Sequence, residues 1–201
     1  MGDLVVRRGE LARAIDMALD PSAVVFCGLG SADVAWRGVG SSRPTYFGSD
    51  PMGVALPLAM GFALGRPDRT TALLVGDGDL LMGLSALVTV TGPDPSNLKV
   101  FVIANGRYET GGGMPLPGND ADIVGLARAA GWRSANWAAD DLDDAVAAAL
   151  ATTGPALLGV RVELEAAPYG DPGRWSATEE RVFFELRLNE TDKQEHSRGT
   201  V

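Results

Sequence analysis

The chain has 201 residues, 46% of them hydrophobic, with a formal net charge of −9, one cysteine and one histidine. That is enough for one sizeable domain with a full core and marginal for two. The acidity comes without a Lys/Arg-rich run or basic stripe, which argues against a nucleic-acid partner. Cys27 alone excludes an intrachain disulfide and a thiolate-held cluster. The longest apolar stretch, 54–64, is interrupted by Pro57 and Gly61 and is too short to cross a bilayer, so no membrane span is expected. Residues 1–4 lack the basic segment and apolar core of a signal peptide, which makes a cytoplasmic location the default expectation.

Residues 10–19 carry apolar positions at helical spacing until Asp20-Pro21 stops them. A buried strand is predicted over 23–27, ending in the loop Gly28-Leu29-Gly30-Ser31, then a short helix from Ser31. A short strand over 45–47 leads into the Ser49-Asp50-Pro51-Met52 loop, and residues 52–64 form a helix rich in small side chains. Strand 72–75, helix 80–91 and strand 98–104 make a strand-helix-strand unit. Gly111-Gly112-Gly113 is either a loop that closes over a ligand or a plain surface linker. Helix 120–130, strand 133–137, helix 142–150 and strand 155–162 follow. Strands alternating with helices give an α/β class, a doubly wound, mostly parallel sheet flanked by helices. The domain is read as 1–168, followed by an extension, 169–201, with a docking segment over 181–188 and a polar, disordered tail from Asn189 that contains His196.

Chemistry concentrates at two strand ends. The run 72–75 enters Gly76-Asp77-Gly78, and the run 98–104 enters Asn105-Gly106. The 26 residues between Gly78 and Asn105 suffice for the crossover that parallel strands require. Asp77 and Asn105 then stand at carboxyl ends of neighbouring strands, where open α/β sheets bind ligands. A carboxylate and an amide oxygen suit Mg²⁺, which takes hard oxygens and shares phosphate oxygens. The glycines let backbone amides approach a phosphate. Either dipeptide alone is an ordinary turn; the strand before each is what lifts the pair above that. Asp79 either caps a helix beginning at Leu80, its carboxylate turned away from the phosphate site, or binds a cation or a partner; the cap is the favoured expectation. Tyr108 and Glu109 either face substrate or are a packed ring and a solvated carboxylate.

Gly-Asp-Gly followed one crossover later by Asn resembles the thiamine-diphosphate (ThDP) enzymes. Met52, 25 positions before Asp77, matches the large apolar residue that wedges their cofactor into a bent shape. The segments 48–53 and 105–112 are also similar, most of all to the small β subunits of sulfopyruvate and phosphonopyruvate decarboxylases. The resemblance covers roughly residues 5–165. It implies Mg²⁺ held by Asp77, the Asn105 side chain and the main-chain carbonyl of Arg107. It implies a cofactor-facing set of Met52, Gly76, Gly78, Asp79, Leu80, Gly106, Tyr108 and Glu109. The Asp50 carbonyl would receive the cofactor's 4′-amino group. Asp79 departs from the Ser or Ala common after Gly-Asp-Gly.

The family also needs a glutamate from a pyrimidine-binding domain, and no second domain is recognisable here. The resemblance therefore implies a hetero-oligomer in which a separate pyrimidine-binding subunit supplies it, two copies of each chain or more, acting on a small 2-keto acid by decarboxylation. A carboligase of the acetolactate-synthase or acyloin-forming kind shares every motif. A ThDP oxidoreductase fits less well, since its comparable chains bring cluster cysteines. A non-catalytic scaffold subunit is the alternative of another class, with Asp79 as its one supporting feature.

Overall fold

The computed structural model describes residues 4–48, 51–117, 121–165 and 175–198. The elements run β1 (Val5–Val6), α1 (Arg8–Ala18), β2 (Val24–Cys27), α2 (Ser31–Val39), β3 (Thr45–Phe47), α3 (Ala55–Gly65) and β4 (Thr71–Gly76). Then come α4 (Asp77–Met82), α5 (Ser85–Val90), β5 (Leu98–Ala104), β6 (Arg107–Tyr108), β7 (Met114–Pro115) and α6 (Ile123–Ala130). The remainder is β8 (Ser134–Trp137), α7 (Leu142–Ala151), β9 (Ala156–Val162) and α8 (Ala177–Arg198).

β4, β5 and β9 are almost continuously apolar because a parallel sheet is covered on both faces. The sheet order is β1-β9-β5-β4-β2-β3, and β8 pairs β9 beside the stretch that β1 does not reach. Every pairing in this sheet is parallel. Alternate side chains go to opposite faces. Leu74, Phe101 and Ile103 meet α1, α2 and α7 through Leu11, Trp36 and Val146. Leu73, Val100 and Val102 meet α3, α5 and α6 through Leu56, Leu87 and Val124. The α/β reading with its mostly parallel, helix-flanked sheet is thus the observed architecture.

Three local expectations differ. The helix expected over 80–91 is two short helices, α4 and α5, parted at Gly83-Leu84. At Gly83 an added Cβ would collide with the Gly53 carbonyl oxygen, so two backbones meet there and the helix breaks. The glycine-rich stretch is part of a small antiparallel hairpin, with Tyr108 opposite Met114. The polar tail expected to be disordered from Asn189 instead continues α8 to Arg198. Tertiary contacts hold that helix: the Phe184 ring lies 5.6–5.9 Å from those of Phe26, Tyr46 and Phe62. Asp192 pairs with Arg66 and Arg69 at 2.9 and 2.5 Å.

Candidate functional site

β4 and β5 run in register, Gly76 opposite Ile103, so both chains leave the sheet side by side at their carboxyl ends. Asp77 opens α4 directly after β4 and is 5% exposed. Its two carboxylate oxygens accept the amides of Gly78 and Gly106, each at 2.8 Å. The Asp77 turn and the Asn105 turn are therefore tied by a hydrogen bond between residues 29 positions apart. Burial outweighs these amides and pushes the Asp77 carboxyl up to about 6. Asn105 Oδ1 accepts the Arg107 amide at 2.9 Å, which orients the side-chain oxygen over the same turn. The Arg107 guanidinium turns outward to the Gly113 carbonyl at 3.0 Å, leaving only its backbone at the site.

One pocket is lined by Met52, Gly76, Asp77, Gly78, Asp79, Asn105, Arg107, Tyr108 and Glu109, joined by Leu29, Gly30, Ser31 and Thr110. Ten of the twelve residues singled out by the sequence thus belong to this corner or, for Gly106, to the cleft beside it that also touches Asp77 and Asn105. Leu80 is the exception. Because α4 starts at Asp77 and not after Asp79, Leu80 points inward and is buried in the apolar layer under the turn. Asp50 lies outside the described residues.

The capping role expected of Asp79 is not what the structure has. Gly76 is the N-cap of α4, and Asp79 Oδ1 instead accepts the Gly53 amide at 2.6 Å. The side chain is 5% exposed, and burial raises its carboxyl above the usual range. Tyr108 packs its ring over Gly78, where an added Cβ would sit 2.7 Å from Cδ1. That contact explains the glycine as much as any ligand does. Glu109 is not solvated: Arg8 Nη1 lies 3.2 Å from its carboxylate and the Ser31 hydroxyl donates to it. Burial still leaves the Glu109 carboxyl raised, Arg8 opposing the shift. Arg8 was not foreseeable, since it is 101 positions from Glu109 and carries no motif. Cys27, buried at the end of β2, has its thiol pushed well up by burial and is no nucleophile at neutral pH.

A metal fits this arrangement. No Lys, Arg or His forms an ion pair with Asp77 among the described residues, so a buried carboxylate stands there without a protein cation. Nor do the described residues hold three or more His, Cys, Asp or Glu grouped as metal ligands. A cation here would take one carboxylate, an amide oxygen and a backbone carbonyl, with further oxygens from elsewhere; that is a magnesium-type donor set.

The family model for the thiamine pyrophosphate enzyme C-terminal TPP-binding domain matches residues 28–160, from the end of β2 into β9. This chain belongs to that family. Among relatives, the phosphonopyruvate decarboxylase of Streptomyces viridochromogenes is 38% identical over 113 residues, covering 55% of this chain and 28% of the relative. That of Streptomyces hygroscopicus is 38% identical over 109 residues, covering 53% and 27%. A putative acetolactate synthase large subunit of Mycobacterium tuberculosis is 28% identical over 175 residues, covering 78% of this chain and 31% of the relative. Of solved structures, the ThDP-dependent 4-hydroxybenzoylformate decarboxylase of Rhodococcus jostii RHA1 matches with a TM-score of 0.64 at 26% identity, over 82% of this chain and 35% of that one. The chain spans only about a third or less of the proteins it matches. It is a TPP-binding domain, and none of the helices among the described residues is long and apolar enough to cross a membrane.

Proposed function

We propose that this chain is the diphosphate- and Mg²⁺-binding part of a 2-keto acid decarboxylase, completed by a pyrimidine-binding subunit. The observation that carries the reading is the buried Asp77 carboxylate, free of any protein cation among the described residues, tied through Gly106 to the Asn105 turn. Asp77, Asn105 Oδ1 and the Arg107 carbonyl would hold the metal. Backbone amides around Gly78 and Asp79 would meet the diphosphate, and Met52 would prop the cofactor's bend. When bound, ThDP supplies the electron sink that loss of CO₂ from a 2-keto acid requires. The chain's own part is to bind, bend and orient it.

The glutamate that the pyrimidine ring needs is expected from the partner, in keeping with the small fraction of each relative that this chain spans. A cytoplasmic hetero-oligomer follows from that reading. The test is to purify the chain from its native host with Mg²⁺ and ThDP present, identify what accompanies it, and measure CO₂ release from a panel of 2-keto acids. A stoichiometric partner and turnover of at least one acid are expected. No CO₂ from any acid, with ThDP demonstrably bound, overturns the decarboxylase assignment. The Mycobacterium tuberculosis relative, named as a putative acetolactate synthase subunit, favours carboligation as the second reading, and condensation products in the presence of an acceptor aldehyde would identify it.

A further inference from the structure

Gly-Asp-Gly is followed here by a carboxylate that sits beside the proposed diphosphate site, where like charge is unfavourable. Its surroundings give it a different task. Asp79 is buried, forms no ion pair among the described residues, and spends its Oδ1 on the Gly53 amide at 2.6 Å, across 26 positions of sequence. Gly53 itself has φ +93°, a conformation that side chains rarely adopt. An added Cβ there would stand 2.9 Å from the Gly83 nitrogen, and one on Gly83 would strike Gly53. The turn before α3 and the end of α4 are thus in backbone contact, with one hydrogen bond from the Gly53 amide to Asp79 fixing their registry. Met52, directly before Gly53, is half-buried and faces the same pocket as Asp77.

We propose that Asp79 is a positioning residue: by accepting the Gly53 amide it bolts the Met52 turn onto α4 and fixes where the Met52 side chain stands over the cofactor. The proposal rests on the functional reading above only for what Met52 touches. Nothing smaller at position 79 reaches that amide. Serine or alanine there would leave the amide to find water or move the turn. Asp79 acts through Met52, and the diphosphate and the metal are held by other atoms, so its loss should spare cofactor affinity and impair cofactor activation.

The first measurement is amide hydrogen exchange on the full-length chain. The Gly53 amide should be protected in the wild type; D79A should exchange it at least tenfold faster while β4 and β5 amides stay protected; D79N, which keeps an acceptor, should recover most of the protection. The second, in the complex with its partner, compares ThDP affinity with the C2-proton exchange rate of the bound cofactor. D79A should hold Kd within about threefold and slow C2 exchange tenfold or more, with D79N again rescuing. An unprotected Gly53 amide in the wild type overturns the proposal even if D79A fails to fold. So does D79A with unchanged Gly53 exchange, or with ThDP affinity and C2 exchange falling together. If wild-type complex binds no ThDP, the functional reading fails while the Gly53 measurement stands.

Discussion

The two ends of the sheet handle buried charge in opposite ways. At the amino ends of the strands, side-chain donors meet backbone carbonyls. Asn97 Nδ2 donates to the carbonyls of Ala63, Arg66 and Arg69 at 3.1, 2.9 and 2.7 Å. Lys99, 3% exposed, reaches those of Ser96, Thr152 and Gly154. Arg69 joins the Ser22 carbonyl to Asp192. At the carboxyl ends, Asp77 and Asp79 are equally buried, but only backbone amides face them and both carboxyls are pushed up. Charge at the first end is matched within the chain, which is how structural polar groups are retained. At the second end Asp79 is taken up by the Gly53 amide, while Asp77 has no ion pair among the described residues, the arrangement expected of a group that meets a ligand.

Exchanging the roles of the two ends would break that contrast, and the largest effect is expected at Asp77. D77A should abolish Mg²⁺-dependent ThDP binding and reduce turnover of the assembled enzyme by about a thousandfold or more, an effect of roughly 4 kcal/mol. Calorimetric titration with ThDP and Mg²⁺ checks the binding, and the thermal midpoint of the unliganded chain should not fall. The opposite outcome is expected at the structural end. F184A should cost about 3–5 kcal/mol by opening the aromatic cluster at α8, with ThDP affinity of the folded fraction unchanged. N97A leaves three carbonyls to water and should cost roughly 2–3 kcal/mol in urea unfolding, again without changing affinity.

The pH dependence sharpens the comparison further. Burial lifts the Asp77 carboxyl from the ordinary 3.8 to about 6. A carboxyl with a folded value above its unfolded one adds stability that is complete below the unfolded value and lost as pH rises through the folded one. The unliganded chain should therefore lose up to about 3 kcal/mol of stability as pH rises from roughly 4 to 7, and D77N should flatten that slope. Metal binding runs the other way: protons compete for the carboxylate, so ThDP affinity in Mg²⁺ should fall below about pH 6. Lys99, whose ammonium is lowered by burial, faces carbonyls only and should leave no mark on that binding curve.

Legibility in the sequence followed the same division. Asp77 and Asn105 could be found because each follows an apolar strand, and the residue-level pattern of β4 and β5 fixes where the chain leaves the sheet. The strand and helix order, and hence the parallel sheet, came from the same periodicity. What could not be read was decided by distant partners. Asp79 looks like a cap because aspartate before Leu80-Leu81 usually is one; only the arrival of Gly53 reveals another use. The break between α4 and α5 has the same origin, a backbone contact between Gly83 and Gly53. Residues 189–198 are polar enough to pass for a disordered tail, and become helix because Phe184 and Asp192 find partners on α3, β2, β3 and the α3–β4 turn. Glu109 could be read either as facing substrate or as solvated, and only the arrival of Arg8 shows what its carboxylate meets.

α8 also bears on how the protein behaves in a crowd. Among the described residues β3 is the last strand of its sheet and its outer rim has no strand neighbour; α8 lies against it with Phe184 seated on Tyr46. Terminal strands are ready templates for pairing with another molecule, and covering them is one of the ways proteins avoid clumping. A chain cut before Ala177 would uncover that rim together with the rings of Phe26, Tyr46 and Phe62. Its failing would be sticking to itself before any loss at the strand ends where Asp77 sits, so the last helix acts as a guard on solubility.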